Sequence, residues 1–411
     1  MSSPTEALPP PIAKDAIQAL LASKGLPKAI SITPLQVTAE YHAIYRIALP
    51  AAESSSSSCS SSKDYHHAEL ILRISGRHLP VIKTRNEVGV MTWLRRNTSI
   101  PIPDIVAYDA SEDNPIGHEY TLLSKAPGVP LSDVYADLTE AQATRILHQL
   151  IDYLVELHSF PWDGIGGLAL EDDQDDGKHH TQHHQSRVVL SQVVDETFWQ
   201  VADVTRFWSP SETIATLNIQ GPYTTYVDLV CARIQQSSLL IQKHDSLAFM
   251  HDTLPRLDAL VATLTSRGAA DDSDLNRVAL RLAHKDLHFA NILVDPASDG
   301  TITAVLDWEF SGVVPFPEWN PQRSFLWNGK NVAASQEEKV RWVARFEECC
   351  RERGVAYILE DAEFASPLQE SMNKIHNFLR AIVEVSPRGQ RQDLVQGWKD
   401  TVLENLSLFG V

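Results

Sequence analysis

The sequence predicts an α+β protein with two lobes, a small antiparallel β-sheet with one main helix followed by a larger, mostly helical lobe. A chain of 411 residues, 43% of them hydrophobic, exceeds what one core usually organises. Residues 30–75 read as strands, whereas apolar residues recur at helical spacing through much of the chain after Thr139. We therefore predict a first lobe at 1–123, a hinge at 124–128 and a second lobe at 129–411.

Three strands are predicted near the start of the first lobe. They cover Ile30–Val37, His42–Leu49 and Ala68–Ser75. Between the second and third strands, residues 50–66 include a nearly pure serine run, Ser54–Ser62. Such a composition buries too little apolar surface to order the backbone, so we expect a flexible insertion in the hairpin.

One helix and two extended segments complete the first lobe. Lys83–Arg96 carries apolar residues at helical spacing, and the prolines within Thr98–Asp109 favour an extended chain after it. A short apolar strand, Tyr120–Leu123, then ends at the string Ser124-Lys125-Ala126-Pro127-Gly128. Proline and glycine at this point indicate the hinge between the lobes.

The second lobe begins with a long amphipathic helix. Thr139 and Gln142 form a capping-box pattern, which is followed by one apolar stripe: Ile146, Leu147, Leu150, Ile151, Leu154 and Leu157. Helical patterns return in Pro222–Arg267 and in Gln336–Leu408. The segment 171–187 holds five acids and four histidines with little apolar content, which favours a solvated, flexible loop over a metal site.

Composition excludes several classes of protein. The 53 acidic and 35 basic residues give a formal charge of -18, which disfavours nucleic acid as a partner and favours cationic ligands or metal ions. The residues from Met1 to Lys14 lack an apolar signal-peptide core, and no apolar run is long enough for a membrane span, so we expect a cytoplasmic protein without a membrane partner. The cysteines have neither zinc-ligand nor disulfide spacing: Cys59, Cys231, Cys349 and Cys350.

The polar residues with the clearest chemistry lie at strand ends. Val278–Asp295 has two strand-like flanks around a polar centre, and the next apolar strand, Thr303–Leu306, leads into Asp307. Mg²⁺ prefers oxygen ligands and takes one or two carboxylates from protein, which suits Asn291 and Asp307. Asp286, five residues before Asn291, is spaced to orient a hydroxyl group and accept its proton. Both Asp286 and Asn291 also favour turns, so a hairpin cap is the alternative interpretation.

The string H-K-D-L-H-F-A-N at His284–Asn291, followed by D-W-E at Asp307–Glu309, resembles the aminoglycoside phosphotransferase and choline-kinase-like enzymes. Their usual core is H-G-D-x-H-x-x-N and then D-W-E, on a protein-kinase-like fold. The resemblance implies ATP-dependent phosphorylation of a hydroxyl group on a small molecule. It further implies that Asp286 is the catalytic base, that Asn291 and Asp307 hold magnesium, and that His284 and His288 are supporting residues.

Weaker matches lie upstream. By resemblance, Arg73 in Leu72-Arg73-Ile74 grips the nucleotide phosphates, Glu87 holds Arg73, and Ser124 and Ala126 present backbone groups to adenine. Arg73 is alternatively a solvated strand residue paired with an acid. Glu309 is expected either to enter the metal shell or the substrate pocket, or to be a carboxylate on the surface or behind the residues that bind the metal.

Three departures from the family pattern keep a catalytically silent nucleotide-binding or interaction module open as an alternative. Thr38–Ala43 has no glycine where phosphate-covering loops usually have several, and Lys285 replaces the glycine before the catalytic aspartate. Gly312–Trp319 lacks the usual G-D-P-x-x-D-L string. However, A-E-Y-H-A-I-Y and D-W-E-F resemble strings of fungal members, which indicates a subfamily pattern. A protein kinase is disfavoured, because H-R-D, D-F-G and A-P-E are absent.

The acceptor is expected in the second lobe. Val193–Arg267, Gln322–Asn331 and the terminal helices are the predicted binding region, and the acidic composition favours an amine-bearing acceptor. The motifs do not identify the acceptor, the preference for ATP or GTP, or the oligomeric state, and they do not show whether the protein confers antibiotic resistance.

Overall fold

The structure, a computed structural model, describes seven ranges of the chain: residues 8–35, 41–50, 67–173, 186–269, 274–295, 297–319 and 332–411. Three predicted features lie wholly or largely outside these ranges. They are the serine-rich insertion at 50–66, most of the acidic and histidine-bearing loop at 171–187, and the Gln322–Asn331 part of the acceptor region. The first three residues of the glycine-free segment, Thr38–Glu40, also lie outside them.

The N-terminal region is a five-stranded antiparallel sheet of order β1-β2-β3-β5-β4. Its strands β1 to β5 are Ser31–Pro34, His42–Ala48, Glu69–Ser75, Ile105–Asp109 and Tyr120–Ser124. Alternating burial on β2 and β3 gives the sheet one apolar face. Helix α1, Lys14–Ser23, packs Ile17, Leu20 and Leu21 into the same core. The predicted sheet is confirmed, while α1 was not predicted.

Helix α2, Ile82–Asn97, connects β3 to β4 and joins the sheet to the rest of the molecule. Its residues Val90, Met91 and Leu94 lie in the main C-terminal core. At Gly89 a Cβ atom would stand 2.5 Å from the carbonyl oxygen of Leu168, so this glycine permits close backbone contact. The helix between β3 and β4 therefore packs into the core that is formed mainly by C-terminal residues.

Short strands follow the hinge. They are β6 Val129–Pro130, β7 Gly167–Leu170, β8 Val188–Ser191, β9 Leu280–Ala283, β10 Ile292–Val294, β11 Ile302–Val305 and β12 Gly312–Pro315. Strand β10 pairs with β11 and β6, β9 pairs with β12, and β7 pairs with β8, in each case antiparallel. These pairs surround the loop from β9 to β10 and the segment after β11, which together hold the predicted catalytic residues.

Helices form most of the remaining structure. Helices α3 to α8 are Leu131–Val134, Glu140–Ser159, Val201–Phe207, Ile214–Leu217, Tyr226–Lys243 and Leu254–Gly268. Helices α9 to α13 are Phe316–Trp319, Ala333–Glu352, Tyr357–Asp361, Pro367–Val385 and Gln392–Ser407. Helix α4 begins at the predicted capping box, in which the hydroxyl of Thr139 accepts from the N–H of Gln142. A second core joins α7, α8, α12 and α13. The predicted α+β architecture is confirmed, and no helix in the described ranges is long and apolar enough to cross a membrane.

Candidate active site

The loop between β9 and β10 carries Asp286 and ends in a short 3-10 turn, Phe289–Asn291. The side-chain amide of Asn291 donates to the main-chain oxygen of Asp286 (2.8 Å) and to its carboxylate (3.3 Å). These bonds fix the two side chains next to each other. They use the NH₂ group of Asn291 and leave its Oδ1 without a hydrogen-bond donor in the described ranges.

Asp307 follows β11 and is brought to the same place by pairing between β10 and β11. The N–H of Leu306 donates to the carbonyl oxygen of Asn291 at 2.8 Å. Asp307 has φ 65°, in the left-handed region that few residues other than glycine adopt. Strained backbone of this kind persists where surrounding contacts enforce it, and it clusters at functional sites.

Asn291 and Asp307 together fit a magnesium ion. One amide oxygen and one carboxylate are hard oxygen donors, and Mg²⁺ usually completes its octahedral shell with phosphate oxygens and water. Within the described ranges no group of three or more His, Cys, Asp or Glu side chains could hold a metal. A site of this kind therefore suits a metal that arrives with a phosphate-bearing ligand better than a permanently bound ion.

Arg73 lies between Glu87 and Asp307. Its guanidinium donates to Glu87 through Nη1 and to Asp307 Oδ1 through Nη2 at 2.6 Å. Glu87 in turn accepts from the hydroxyl of Thr121 at 3.2 Å. Burial alone would raise the pKa of Asp307, but the charge and hydrogen bond of Arg73 outweigh it and hold that pKa below its usual range. Arg73 is thus paired with acids and only 11% exposed, rather than solvated.

Sequence reasoning missed a second buried cation, Lys83. Its ammonium lies 2.8 Å from Glu309 and 3.0 Å from Nε2 of His42, and Lys83 and Glu309 are 1% and 2% exposed. Burial and the cations Lys83 and Arg73 hold the pKa of His42 well below its usual range, so this ring is neutral. A signal was present in the sequence, because Lys83 lies one helical turn before Glu87 and shares its face. Glu309 is therefore a buried ion-pair partner and not a surface carboxylate.

His284 and His288 support the loop. Buried His284 interacts through Nε2 with the carbonyl oxygen of Leu306 (2.7 Å), and its Nδ1 accepts from the N–H of Asp286 (3.2 Å). Burial lowers the pKa of His284 to about 4, so the ring is neutral near pH 7. His288 Nδ1 accepts from the N–H of Ala290 and its Nε2 lies 3.7 Å from the carboxylate of Asp286. Both rings contact the loop, as expected for positioning residues.

The pKa of the Asp286 carboxyl group is raised above its ordinary value. Burial, followed by the negative charges of Glu196 and Asp307, raises its pKa to about 7. Its side chain is still 43% exposed and can be reached from the adjacent cavity. A base with a pKa near the working pH combines a useful deprotonated fraction with proton affinity.

The hinge offers fewer backbone groups than expected. The N–H of Ser124 already donates to the carbonyl oxygen of Asp104 (2.8 Å), and its hydroxyl accepts from the N–H of Asp104 (2.8 Å). Ser124 therefore cannot donate its N–H to an adenine ring without breaking the contact with Asp104 beside β4. The N–H of Ala126 has no backbone acceptor in the described ranges and remains free for this role.

Lys285 is held by protein contacts, and its side chain is 20% exposed. Its ammonium donates to the carbonyl oxygen of Val194 and lies 3.3 Å from the carboxylate of Asp195. Asp195 also accepts from the N–H and hydroxyl of Thr197 at 3.0 and 2.7 Å. The lysine that replaces the usual glycine therefore ties the loop at Val194–Thr197 to the catalytic loop.

A cavity of about 500 Å³ opens beside Asp286. Its wall includes residues of the predicted acceptor region and of α12. Apolar lining comes from Val193, Phe198, Trp199, Leu217, Phe310 and Trp319, and charged or polar lining from Glu196, Arg233, Glu318, Asn373, His376 and Arg380. This volume lies in the range of pockets that hold small molecules.

Comparison with known proteins gives a family match and two groups of relatives. The model of a family described as "Phosphotransferase enzyme family" matches residues 60–214 and 230–316, more than half of the chain. A subtelomeric hrmA-associated cluster protein of Aspergillus fumigatus is 23% identical over 266 residues, which are 56% of this chain and 50% of that protein. Clavilactone A biosynthesis cluster protein Y of Ampulloclitocybe clavipes is 25% identical over 316 residues, 73% of this chain and 67% of that protein.

Solved structures with similar architecture are more distant. The GDP complex of aminoglycoside 2'-phosphotransferase-IIIa is 12% identical, with 96% of this chain and 98% of that chain covered and a TM-score of 0.44. A ternary complex of aminoglycoside phosphotransferase APH(4)-Ia with AMP-PNP and hygromycin B is 15% identical, with 95% and 98% covered and a TM-score of 0.44. Because both TM-scores are below 0.5, the resemblance of these structures to this chain is loose.

Proposed function

Because the chain belongs to the phosphotransferase enzyme family, we propose that it transfers the γ-phosphoryl group of ATP to a hydroxyl group of a small molecule. The observation that carries this proposal is the convergence of Asp286, Asn291 and Asp307 beside a cavity of about 500 Å³. Arg73 lies within hydrogen-bond distance of Asp307. Phosphoryl transfer needs a base, oxygen ligands and a cation in this arrangement.

The proposed chemistry assigns one role to each side chain. Asp286 orients the acceptor hydroxyl and takes its proton as the hydroxyl oxygen bonds to the γ-phosphorus and the bond to the ADP oxygen breaks. Asn291 Oδ1 and a carboxylate oxygen of Asp307 would hold Mg²⁺, which when bound neutralises charge on the phosphate oxygens. Arg73, held by Glu87, is placed to contact phosphate, and Ala126 to contact adenine.

The acceptor belongs to the same proposal. One curated relative is named for the biosynthesis cluster of clavilactone A. A small metabolite bearing a hydroxyl group is consistent with this name and with the size of the cavity.

Replacement of Asp286 tests the proposal. We expect Asp286→Asn to lower Mg²⁺- and ATP-dependent phosphorylation of an acceptor roughly 10²–10⁴-fold, because the amide cannot accept the proton. The measurement is ADP release and product mass with a panel of hydroxyl-bearing metabolites. Asp299→Asn is the matched control, since the Asp299 side chain is 80% exposed and, among the residues that the structure describes, pairs only with Arg145.

Two results would contradict the proposal in different ways. Equal turnover by the wild type and Asp286→Asn would remove Asp286 as the base. Mg²⁺-dependent ATP binding without turnover on any member of a wide panel would instead favour the catalytically silent nucleotide-binding module.

A further inference from the structure

Most charges on the cavity wall are balanced within the protein. Lys285 pairs with Asp195 at 3.3 Å, Arg233 with Glu318 at 2.8 Å, and Arg380 with Glu384 at 2.9 Å. Of the remaining lining acids, Glu196 accepts from the hydroxyl of Tyr41 at 3.0 Å, and Asp286 is the proposed base. The excess negative charge of the cavity therefore lies close to Asp286, and the rest of the wall is nearly neutral.

Arg233 and Arg380 both use only part of their guanidinium groups in the described ranges, and Arg233 is the more buried of the two, with its side chain 23% exposed against 44% for Arg380. Nη1 of Arg233 donates to both carboxylate oxygens of Glu318, at 2.8 and 2.9 Å, and lies 3.2 Å from Nε2 of His376. Throughout the described ranges, Nε and Nη2 of Arg233 have no acceptor. Arg233 lines the cavity, its side chain is 23% exposed, and Nε and Nη2 are not among the buried unsatisfied atoms. An edge with two donors therefore faces the cavity.

The surroundings of Arg233 leave no net charge at this position. Burial alone would raise the pKa of Glu318, but Arg233 and His376 lower it to about 2, so the carboxylate is ionised. Burial, followed by the charge of Arg233, lowers the pKa of His376, so the ring is neutral. The open guanidinium edge thus acts as a hydrogen-bond donor whose charge is already compensated by Glu318.

The rest of the lining combines an apolar surface with neutral polar side chains, among them Asn218, Gln236 and Asn377. Phe198, Trp199, Leu217, Phe310 and Trp319 contribute to the wall between these polar groups. A polyamine could pair one ammonium group with the acids close to Asp286, but its other ammonium groups would lie against apolar side chains and already paired cations, which costs desolvation free energy. An apolar ligand body would instead displace water from this surface.

We propose that the acceptor carries an oxygen hydrogen-bond acceptor, a carbonyl or carboxylate group, that binds Nε and Nη2 of Arg233 while its hydroxyl group faces Asp286. A mostly apolar body joins the two groups. This assignment rests on the proposed function for the role of the hydroxyl group, and it replaces the composition-based expectation of an amine-bearing acceptor. Arg233 is accordingly a specificity-determining residue.

Four probes that share a benzyl alcohol and differ at the para position test the assignment. They carry a ketone (4'-(hydroxymethyl)acetophenone), a carboxylate (4-(hydroxymethyl)benzoate), an amine (4-(hydroxymethyl)benzylamine) or an ethyl group (4-ethylbenzyl alcohol). Their Kd values are measured by ligand-observed NMR on the full chain without nucleotide. We expect at least one oxygen-bearing probe to bind about tenfold or more tightly than both the amine and the ethyl analogue.

Arg233→Lys is the informative variant, because it keeps a cation for buried Glu318 but loses the planar donor edge. It should reduce the preference for the oxygen-bearing probe to less than about threefold, whereas Arg277→Lys, a change at a side chain that is 66% exposed, should leave it unchanged. Any of four results would overturn the assignment. The amine could bind most tightly, all probes could bind equally, neither oxygen-bearing probe could bind detectably, or Arg233→Lys could keep the wild-type preference. The Kd measurements need no turnover. Failure of the proposed phosphoryl transfer would therefore be detected separately, as an absence of ADP release.

Discussion

The pKa of Asp286 is raised by burial and by specific acidic neighbours. Burial is the largest cause of its raised pKa of about 7, and the carboxylates of Glu196 and Asp307 follow. Below that pH the group is mainly protonated and cannot take a proton from a hydroxyl group. In the free enzyme kcat/KM should therefore rise with pH through about 7, unless a second group limits the rate there.

Glu196→Gln tests this account of Asp286. Loss of the negative charge should lower the pKa of Asp286, because it removes a like charge that opposes ionisation, so the rise in kcat/KM should move to lower pH. The amide keeps an oxygen that can accept from Tyr41. The measurement is ADP release against pH, with Glu112→Gln as control at a side chain that is 53% exposed. An unchanged profile, or a shift to higher pH, would show that Glu196 does not set this pKa.

The roles of residues that lie in a recognisable sequence motif were easier to predict than the roles of residues that come together only when the chain folds. The spacing of Asp286, Asn291 and Asp307 indicated a common site, and the structure brings them together. Lys83 and Arg233 were missed because their acidic partners lie 226 and 85 residues away in the sequence. Their positions show only a lysine and an arginine on helices, residue types that are usually solvated.

Helix α2 is the element that connects the groups proposed to face the nucleotide with those proposed to be catalytic. It carries Lys83 and Glu87, and its Asn86 donates to the carbonyl oxygens of Glu309 and Ser311, both at 2.8 Å. The same amide accepts through Oδ1 from the N–H of Leu168 at 2.8 Å. A displacement of α2 would therefore disturb the Arg73 and Lys83 ion pairs together.

Gly89→Ala should displace α2. A Cβ atom there would meet the carbonyl oxygen of Leu168 at 2.5 Å, and backbone cannot move aside as a flexible side chain can. We expect a loss of roughly 1–3 kcal/mol in the free energy of unfolding, the usual effect of overpacking, together with lower activity. Gly397→Ala in α13 is the matched control, because nothing lies within 4 Å of its added Cβ. It should stabilise the protein by about 0.5–1 kcal/mol.

Urea-induced unfolding measures both glycine variants. If Gly89→Ala were as stable and active as the wild type, close contact between α2 and β7 would not be required for the site.

Long, strongly periodic elements were predicted more completely than short ones. The apolar stripe and capping box located α4, alternation located β2, and an apolar run around Arg73 located β3. Strands β7 and β8 have four residues each, too few for a periodic pattern, and they form through pairing with each other. Helix α1 was not predicted, although Ile17, Leu20 and Leu21 have helical spacing.

At the scale of the whole molecule, the N-terminal sheet meets the C-terminal segments through charged contacts at the proposed nucleotide site. Arg73 on β3 donates to Asp307 after β11, and Tyr41, immediately before β2, donates to Glu196. The proposed magnesium ligand Asp307 is therefore engaged by a cation of the sheet. Magnesium without nucleotide would have to compete with Arg73 using only two protein ligands.

Mg²⁺ and ADP should therefore stabilise the protein cooperatively. We expect little change in Tm with Mg²⁺ alone, a moderate rise with ADP alone, and a larger rise with both, because phosphate oxygens supply ligands that the protein lacks and attract Arg73 away from Asp307. A free ligand concentration of about 100 times Kd adds about 2.7 kcal/mol to the free energy of unfolding. Asp307→Asn should remove most of the extra rise produced by Mg²⁺ with ADP, while Asp299→Asn, at a side chain 80% exposed, should retain it. An equal extra rise in Asp307→Asn would exclude Asp307 as a magnesium ligand, and strong stabilisation by Mg²⁺ alone would show that Arg73 does not compete for that carboxylate.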